Sequence, residues 1–286
     1  RRAVIKRERL KHRQELQHVE FVKLQELDRL KSRFFADISH EFRTPLTLIL
    51  GPLLSLRQAS SKTDIEKQCG IIERNALRLL RLINQLLDLS KLEAGKLRLQ
   101  AAPGNLVPFV KGILYSFESL AQQENITLRF ASAADEVTLY FDSEKMEQIL
   151  TNVLSNAFKF TPKGGEISVQ LSVVSNQLPQ DRPSTERRLQ ITVKDTGSGI
   201  PAEHLPHIFE RFYQIDEAYF KDQPGSGIGL ALAKELVQLH KGEIRVASEV
   251  GLGTEFTILL PLGKDHLAAE DIVETVVSGQ RSVISK

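Results

Sequence analysis

The sequence has a single cysteine, Cys69, in 286 residues. No intrachain disulfide is possible, and such usage fits a reducing compartment. Long apolar runs are missing too. The longest uncharged apolar stretch, Thr44 to Leu56, is broken by Pro45, Gly51 and Pro52 and is too short to span a bilayer. No signal-peptide pattern is present. Neither sign of charge dominates: the net charge is +2, so bulk charge calls for no nucleic-acid partner. The chain begins Arg1-Arg2 without a Met, which reads as a segment of a longer protein. Charge is uneven only locally. The first thirteen residues hold seven Lys or Arg and one acid, Glu8. Such a stretch suits an anionic membrane surface, but taken by itself it reads better as a solvated helix face.

What is present is ordinary for a globular chain: 41% hydrophobic and 26% charged residues, with length enough for two domains. Residues 1–100 read as helix. Leu16, Val19, Leu27, Leu30, Phe34 and Ile38 recur at intervals of three or four, and Ile72, Leu79, Leu82, Leu86 and Leu89 come close to a heptad. A polar break from Arg57 to Thr63 separates the two runs. A lone helical hairpin leaves half its apolar seam wet, so two copies closing a four-helix bundle are expected, hence a homodimer. Gly95, Pro103 and Gly104 mark a boundary. Beyond it, helices are predicted over 106–124, 143–160 and 227–240. Strands are predicted around 126–130, 137–141, 167–173, 189–193, 244–246 and 256–260, with an exposed loop from Ser175 to Arg188. This pattern is an α+β two-layer sandwich, one sheet covered by helices on one face.

Several motifs carry chemistry. In Phe34-Phe35-Ala36-Asp37-Ile38-Ser39-His40-Glu41-Phe42-Arg43-Thr44-Pro45-Leu46-Thr47 a histidine stands beside a carboxylate on a helix that Pro45 bends. A neutral imidazole nitrogen can attack phosphorus. A carboxylate on the other ring nitrogen fixes the tautomer and offsets the developing charge, a role open to Glu41 if it curls round. Thr44 lies one turn after His40, on the same face, with a hydroxyl able to place a water. In Asn152-Val153-Leu154-Ser155-Asn156-Ala157-Phe158-Lys159, the residues Asn152, Asn156 and Lys159 share one helix face, and an Asn oxygen suits hard Mg²⁺.

Asp195-Thr196-Gly197-Ser198-Gly199-Ile200 follows a strand. Its carboxylate can accept from the exocyclic amino group of adenine, where guanine carries a repelled carbonyl, and the glycines let backbone approach the base. Phe209-Glu210-Arg211-Phe212 leads into a segment in which Arg211 and Lys221 are the cations most able to reach a phosphate. Gly225-Ser226-Gly227-Ile228-Gly229-Leu230 opens a helix, whose N–H groups bind anions. Gly251 and Gly253, followed by Thr254 and Phe256, read as structural.

Together these five boxes, in order over about residues 30–262, resemble the catalytic core of the sensor histidine kinases of two-component systems. The stretch from Phe34 to Pro52 is similar to hybrid kinases of Bacteroidetes, in which a receiver domain follows on the same polypeptide. The resemblance implies residues 1–33 as a signalling helix, 34–100 as the dimerisation and histidine phosphotransfer domain, 101–262 as the ATPase domain, and 263–286 as a linker or tail. It implies ATP and Mg²⁺ as cofactors and Asn156 as the metal ligand. Asn152 would support that ligand or reach a phosphate, Lys159 would pair with phosphate, and the segment after Phe209 would form a lid. An upstream sensor and a receiver Asp would be the partners, and the cytoplasmic side of an inner membrane the setting. Related ATPases of the gyrase, heat-shock chaperone and mismatch-repair families carry a Glu, as base for water, where this chain has Asn152. An amide cannot take that proton, which favours a kinase over a hydrolase. A phosphatase-biased protein working through Thr44 and a non-catalytic dimeric module are the rival readings.

Overall fold

The computed structural model describes residues 42–56, 61–176, 186–211, 213–215 and 227–273, with a few helical positions between 17 and 39. It divides into two compact units. One comprises Arg1–Leu86 with Glu210–Ile228, the other Leu87–Phe209 with Gly229–Lys286.

In the first unit, residues 42–56 form helix α1 and Lys62–Glu93 forms α2, which runs on into the second unit. The run Ile72, Leu79, Leu82 and Leu86 is half-buried, but α2 also carries a second apolar stripe. Leu77, Leu80, Ile83 and Leu87 are all exposed, Leu77 by 53%, and on α1 Leu46, Leu50 and Leu53 are exposed as well. Covering a leucine is worth roughly 1.5–3 kcal/mol, so these stripes favour a covering partner. Among the described residues no helix is long and apolar enough to cross a membrane.

The second unit is a mixed five-stranded sheet with helices on one face. Its elements in order are β1 (Ala102–Asn105), α3 (Leu106–Glu124), β2 (Thr127–Ser132), β3 (Thr138–Phe141), α4 (Ser143–Phe160), β4 (Glu166–Asn176), β5 (Glu186–Asp195), α5 (Gly229–Leu239), β6 (Glu243–Glu249) and β7 (Gly253–Pro261). The sheet order is β2-β4-β5-β7-β6, with β2 parallel to β4 and the other pairs antiparallel. α3 lies against β2, α4 against β5 and α5 against β6. Alternate residues of the central strands point at the helices: Ile167, Val169, Leu171, Leu189, Ile191 and Val193 are buried, as are Met146, Ile149, Leu150, Val153 and Leu154 of α4.

Caps fix where the helices start. The Asn105 carboxamide oxygen accepts from Val107 N at 3.1 Å and from Val137 N at 3.2 Å. Asp142 caps α4 by accepting from Lys145 N at 3.2 Å, and its other oxygen accepts from Gln100 N at 3.0 Å. The last turn of α2 is tied to α4 as well. The buried Lys145 ammonium lies 3.8 Å from the buried Asp88 carboxylate, to which Gln148 Nε2 donates at 2.8 Å.

Three local expectations need correction. The strand at 138–141 is not in the main sheet. It pairs antiparallel with β1, which runs through Pro103 and Gly104, to make a small separate sheet. The exposed loop expected from Ser175 to Arg188 is shorter, because β4 and β5 pair out to Asn176 opposite Glu186. The chain after Pro261 does not leave as a tail at once. Ala101 N donates to Asp271 O at 2.7 Å, and Val273 N donates to Ala101 O at 2.9 Å. Leu267 packs with Leu99 and Ala101 in a small cluster that includes Tyr140, Leu239 and Ile272. The chain therefore returns to bind the segment that leads out of α2.

Candidate active site

Helix α4 is the scaffold. Its i, i+4, i+7 positions carry Asn152, Asn156 and Lys159 on one face, while Val153, Leu154, Ala157 and Phe158 are buried. All three polar residues are half-buried. The Asn156 amide makes no hydrogen bond among the described residues. The Lys159 ammonium rests 5.0 Å from the centre of the Phe160 ring. Asn152 abuts the start of α5, where a Cβ on Gly229 would sit 3.3 Å from its Oδ1. Gly229 and Leu230 form the first turn of α5, two residues later than the glycine box suggested. Gly227 precedes the helix with φ +65°, a conformation that favours glycine.

The other end of α4 meets the loop after β5. Ser198 N donates to Phe160 O at 3.3 Å, and a Cβ on Gly197 would lie 2.6 Å from that same oxygen. Gly199, with φ +70°, presses on Glu249 O, where a Cβ would come to 2.0 Å. Asp195 closes β5. The residue is 4% exposed, and among the described residues both hydrogen bonds to its carboxyl fall on Oδ1, from Gly197 N at 2.8 Å and Thr254 N at 3.1 Å. That arrangement leaves Oδ2 for a ligand. Burial raises the Asp195 pKa above the ordinary carboxylate value, and the two N–H bonds oppose the rise. A carboxylate taken from water and fixed by two donors is an oriented acceptor for an N–H of a base.

At the far end of α5 lies a buried histidine that the sequence did not single out. His240 Nδ1 is 2.8 Å from Leu236 O, and Nε2 is 3.2 Å from Asp142 N. One acceptor and one donor fix the neutral tautomer, with the proton on Nδ1. Burial lowers its pKa. It joins the end of α5 to the cap of α4.

Thr44 is exposed on α1, next to buried Pro45. Arg211 lies half-buried in a turn of the first unit. His40, Glu41, Lys221, Gly225 and Ser226 fall outside the described residues. Among the described residues no three His, Cys, Asp or Glu side chains gather to hold a metal.

Residues 30–95 match the His Kinase A phospho-acceptor domain, and residues 141–264 match the histidine kinase-, DNA gyrase B- and HSP90-like ATPases. The chain belongs to the sensor histidine kinases. Histidine kinase P4 of Formosa agariphila is 40% identical to this kinase over 272 residues, which cover 93% of this chain and 19% of P4. The kinase chain thus spans about a fifth of that relative's length. The structure of full-length ShkA in complex with AMPPNP superposes with a TM-score of 0.59 at 28% identity, over 80% of this chain and 45% of that one. ThkA in complex with the response regulator TrrA gives 0.53 at 22% identity, over 80% and 61% of the two chains, a likeness of fold.

Proposed function

We propose that this kinase core binds ATP with Mg²⁺, transfers the γ-phosphate to His40 and passes it on to an Asp of a receiver domain. The observation that carries the reading is Asp195: a buried carboxylate whose hydrogen bonds among the described residues both fall on one oxygen, so that the other would accept from adenine's amino group. The AMPPNP bound to ShkA supports an adenine nucleotide at the equivalent fold. The donor set suits Mg²⁺, because a hard ion shared with phosphates needs only one or two protein oxygens, and the Asn156 amide supplies one. Bound Mg²⁺ would offset the phosphate charge.

The remaining steps belong to the chain. Glycine-box N–H groups near Gly227 and Gly229 hold phosphate oxygens, with Gly225 and Ser226 before them, and Lys159 and Arg211 add charge. An imidazole nitrogen of His40 forms the N–P bond as the bond from phosphorus to the β,γ-bridging oxygen breaks and ADP leaves. The other ring nitrogen keeps its proton, which Glu41 stabilises. Residue 152 is an amide and activates no water, so the phosphoryl group goes to His40 in preference to hydrolysis.

The domain arrangement proposed is a signalling helix (1–33), a dimerisation and phosphotransfer domain (34–100), an ATPase domain (101–262) followed by a segment that folds back as far as Val273, and a linker beyond it. The exposed leucine stripes of α1 and α2 support a homodimer closed as a four-helix bundle. The response regulator bound to ThkA supports a receiver partner. An upstream sensor, a setting on the cytoplasmic side of a membrane and a phosphatase activity through Thr44 complete the proposal, and the seven basic residues among the first thirteen support the membrane setting. The test is incubation of the purified chain with γ-labelled ATP and Mg²⁺. Acid-labile, alkali-stable label on the protein is expected. Label that survives acid, or no label, overturns the proposal.

A further inference from the structure

Ser248 has no place in the five boxes, yet its hydroxyl is the junction of the adenine end of the site. It sits on β6 directly opposite Thr254 of β7. Its Oγ accepts from Ile200 N at 2.8 Å, lies 2.8 Å from Gly253 O, and lies 2.9 Å from Thr254 Oγ1. A hydroxyl has one proton and two lone pairs. The proton goes to the Gly253 carbonyl, so the lone pairs take the Ile200 N–H and the Thr254 O–H. The group is then saturated, and it links three points of the chain.

Those points are the ones that aim Asp195. Ile200 ends the loop that contains Gly197, whose N–H holds Oδ1. Thr254 supplies the second N–H on the same oxygen. Gly251 N adds a bond to Ser198 O at 2.8 Å, so loop and turn are fastened along their length. The glycines at the contact leave no slack, because a Cβ at Gly199 or Gly253 would come to 2.0 Å from the opposing backbone. Remove the Ser248 hydroxyl and both donors to Asp195 lose their common anchor, while no group expected to touch phosphate is altered.

We infer that Ser248 is a positioning residue for base selection: through Ile200 and Thr254 it sets the direction of the Asp195 carboxylate and hence the preference for adenine. The inference rests on the reading of Asp195 as the adenine acceptor. The experiment measures calorimetric affinities of ADP and inosine diphosphate, which carries a carbonyl where adenine has its amino group. The proteins are wild type, Ser248→Ala, Ser248→Thr, Asp195→Asn and the Ala/Asn double variant. Ser248→Ala is expected to weaken ADP about ten-fold, the scale of a lost buried hydrogen bond, and to change inosine diphosphate less than two-fold or so. Ser248→Thr, which keeps the hydroxyl, restores the ratio. In the Asp195→Asn background the alanine adds nothing. If Ser248→Ala does not fold, Ser248→Cys keeps the size, weakens the bonds and carries the same test. An unchanged ADP-to-inosine ratio in the Ser248 variant, with Asp195→Asn collapsing it, overturns the role of Ser248. An unchanged ratio in Asp195→Asn overturns the adenine reading itself.

Discussion

Two glycines of the β6–β7 turn look alike in sequence and differ in what they face. Gly251 has φ +82° and nothing within 4 Å of the place a Cβ would take. Gly253 has φ +107°, and its Cβ would stand 2.0 Å from Asp195 O and 3.0 Å from the Cα of Thr196. Both alanine substitutions carry the cost of a positive φ, about 1–2 kcal/mol. Only Gly253→Ala also drives backbone into backbone, where no rotamer change gives relief. The end of β5 and the start of β7 must separate, and the Thr254 N–H then leaves the Asp195 carboxylate. A hydrogen bond to a charged group is worth about 1.5–3 kcal/mol. Gly253→Ala is therefore expected to lose about 2.5–5 kcal/mol, and Gly251→Ala about 1–2 kcal/mol. Urea unfolding of both variants reads the difference, and ADP calorimetry below the transition reads the loss at Asp195. Equal costs for the two glycines would refute the reasoning. So would a folded Gly253→Ala protein that binds ADP as wild type does.

Asn156→Ala should remove the Mg²⁺-dependent share of nucleotide affinity and leave the fold intact, since the amide has no internal partner among the described residues; titration with and without Mg²⁺ checks it. Stability should fall as pH drops through about 6.5, the ordinary His value. Burial lowers the pKa of both His240 and His266, so in that range the unfolded chain binds more protons than the native one and stability rises with pH. Urea midpoints at pH 5.5 and 7.5 measure this, and His240→Leu should flatten the dependence. Thr44→Ala should keep His40 labelling within a few-fold and slow receiver dephosphorylation about ten-fold, the scale of a lost positioning contact; a decay time course of phosphorylated receiver with each protein reads it.

Much of this was legible because it is local. α3 and α4 declare themselves by apolar spacing, and their caps, Asn105 and Asp142, stand one residue before each helix. Asp195, Asn152 and Asn156 stand out as chemistry at the end of a strand or on a helix face. What escaped is long-range. β1 is Ala-Pro-Gly-Asn, which has no strand propensity, and it is extended because it pairs with Thr138–Phe141. The outer ends of β4 and β5 pair Ser175 with Arg187 and Asn176 with Glu186, polar residues that read as loop. The folding-back of residues 267–273 depends on Ala101, far away in sequence. Asp195 itself was visible, but not its second donor, Thr254, 59 residues on, nor Ser248, a lone polar residue in a strand. The second leucine stripe of α2 lay in view, yet only solvent exposure separates it from the first.

The central claim is that nucleotide held by the ATPase unit gives its phosphate to His40. The most direct test compares His40→Gln with wild type in one preparation, measuring ADP affinity by calorimetry and acid-labile label from γ-labelled ATP. Affinity is expected to be unchanged, because the proposed adenine acceptor Asp195 and the helix α4 lie in the other unit, and the label is expected to be lost completely. Undiminished label in the His40→Gln protein would contradict it.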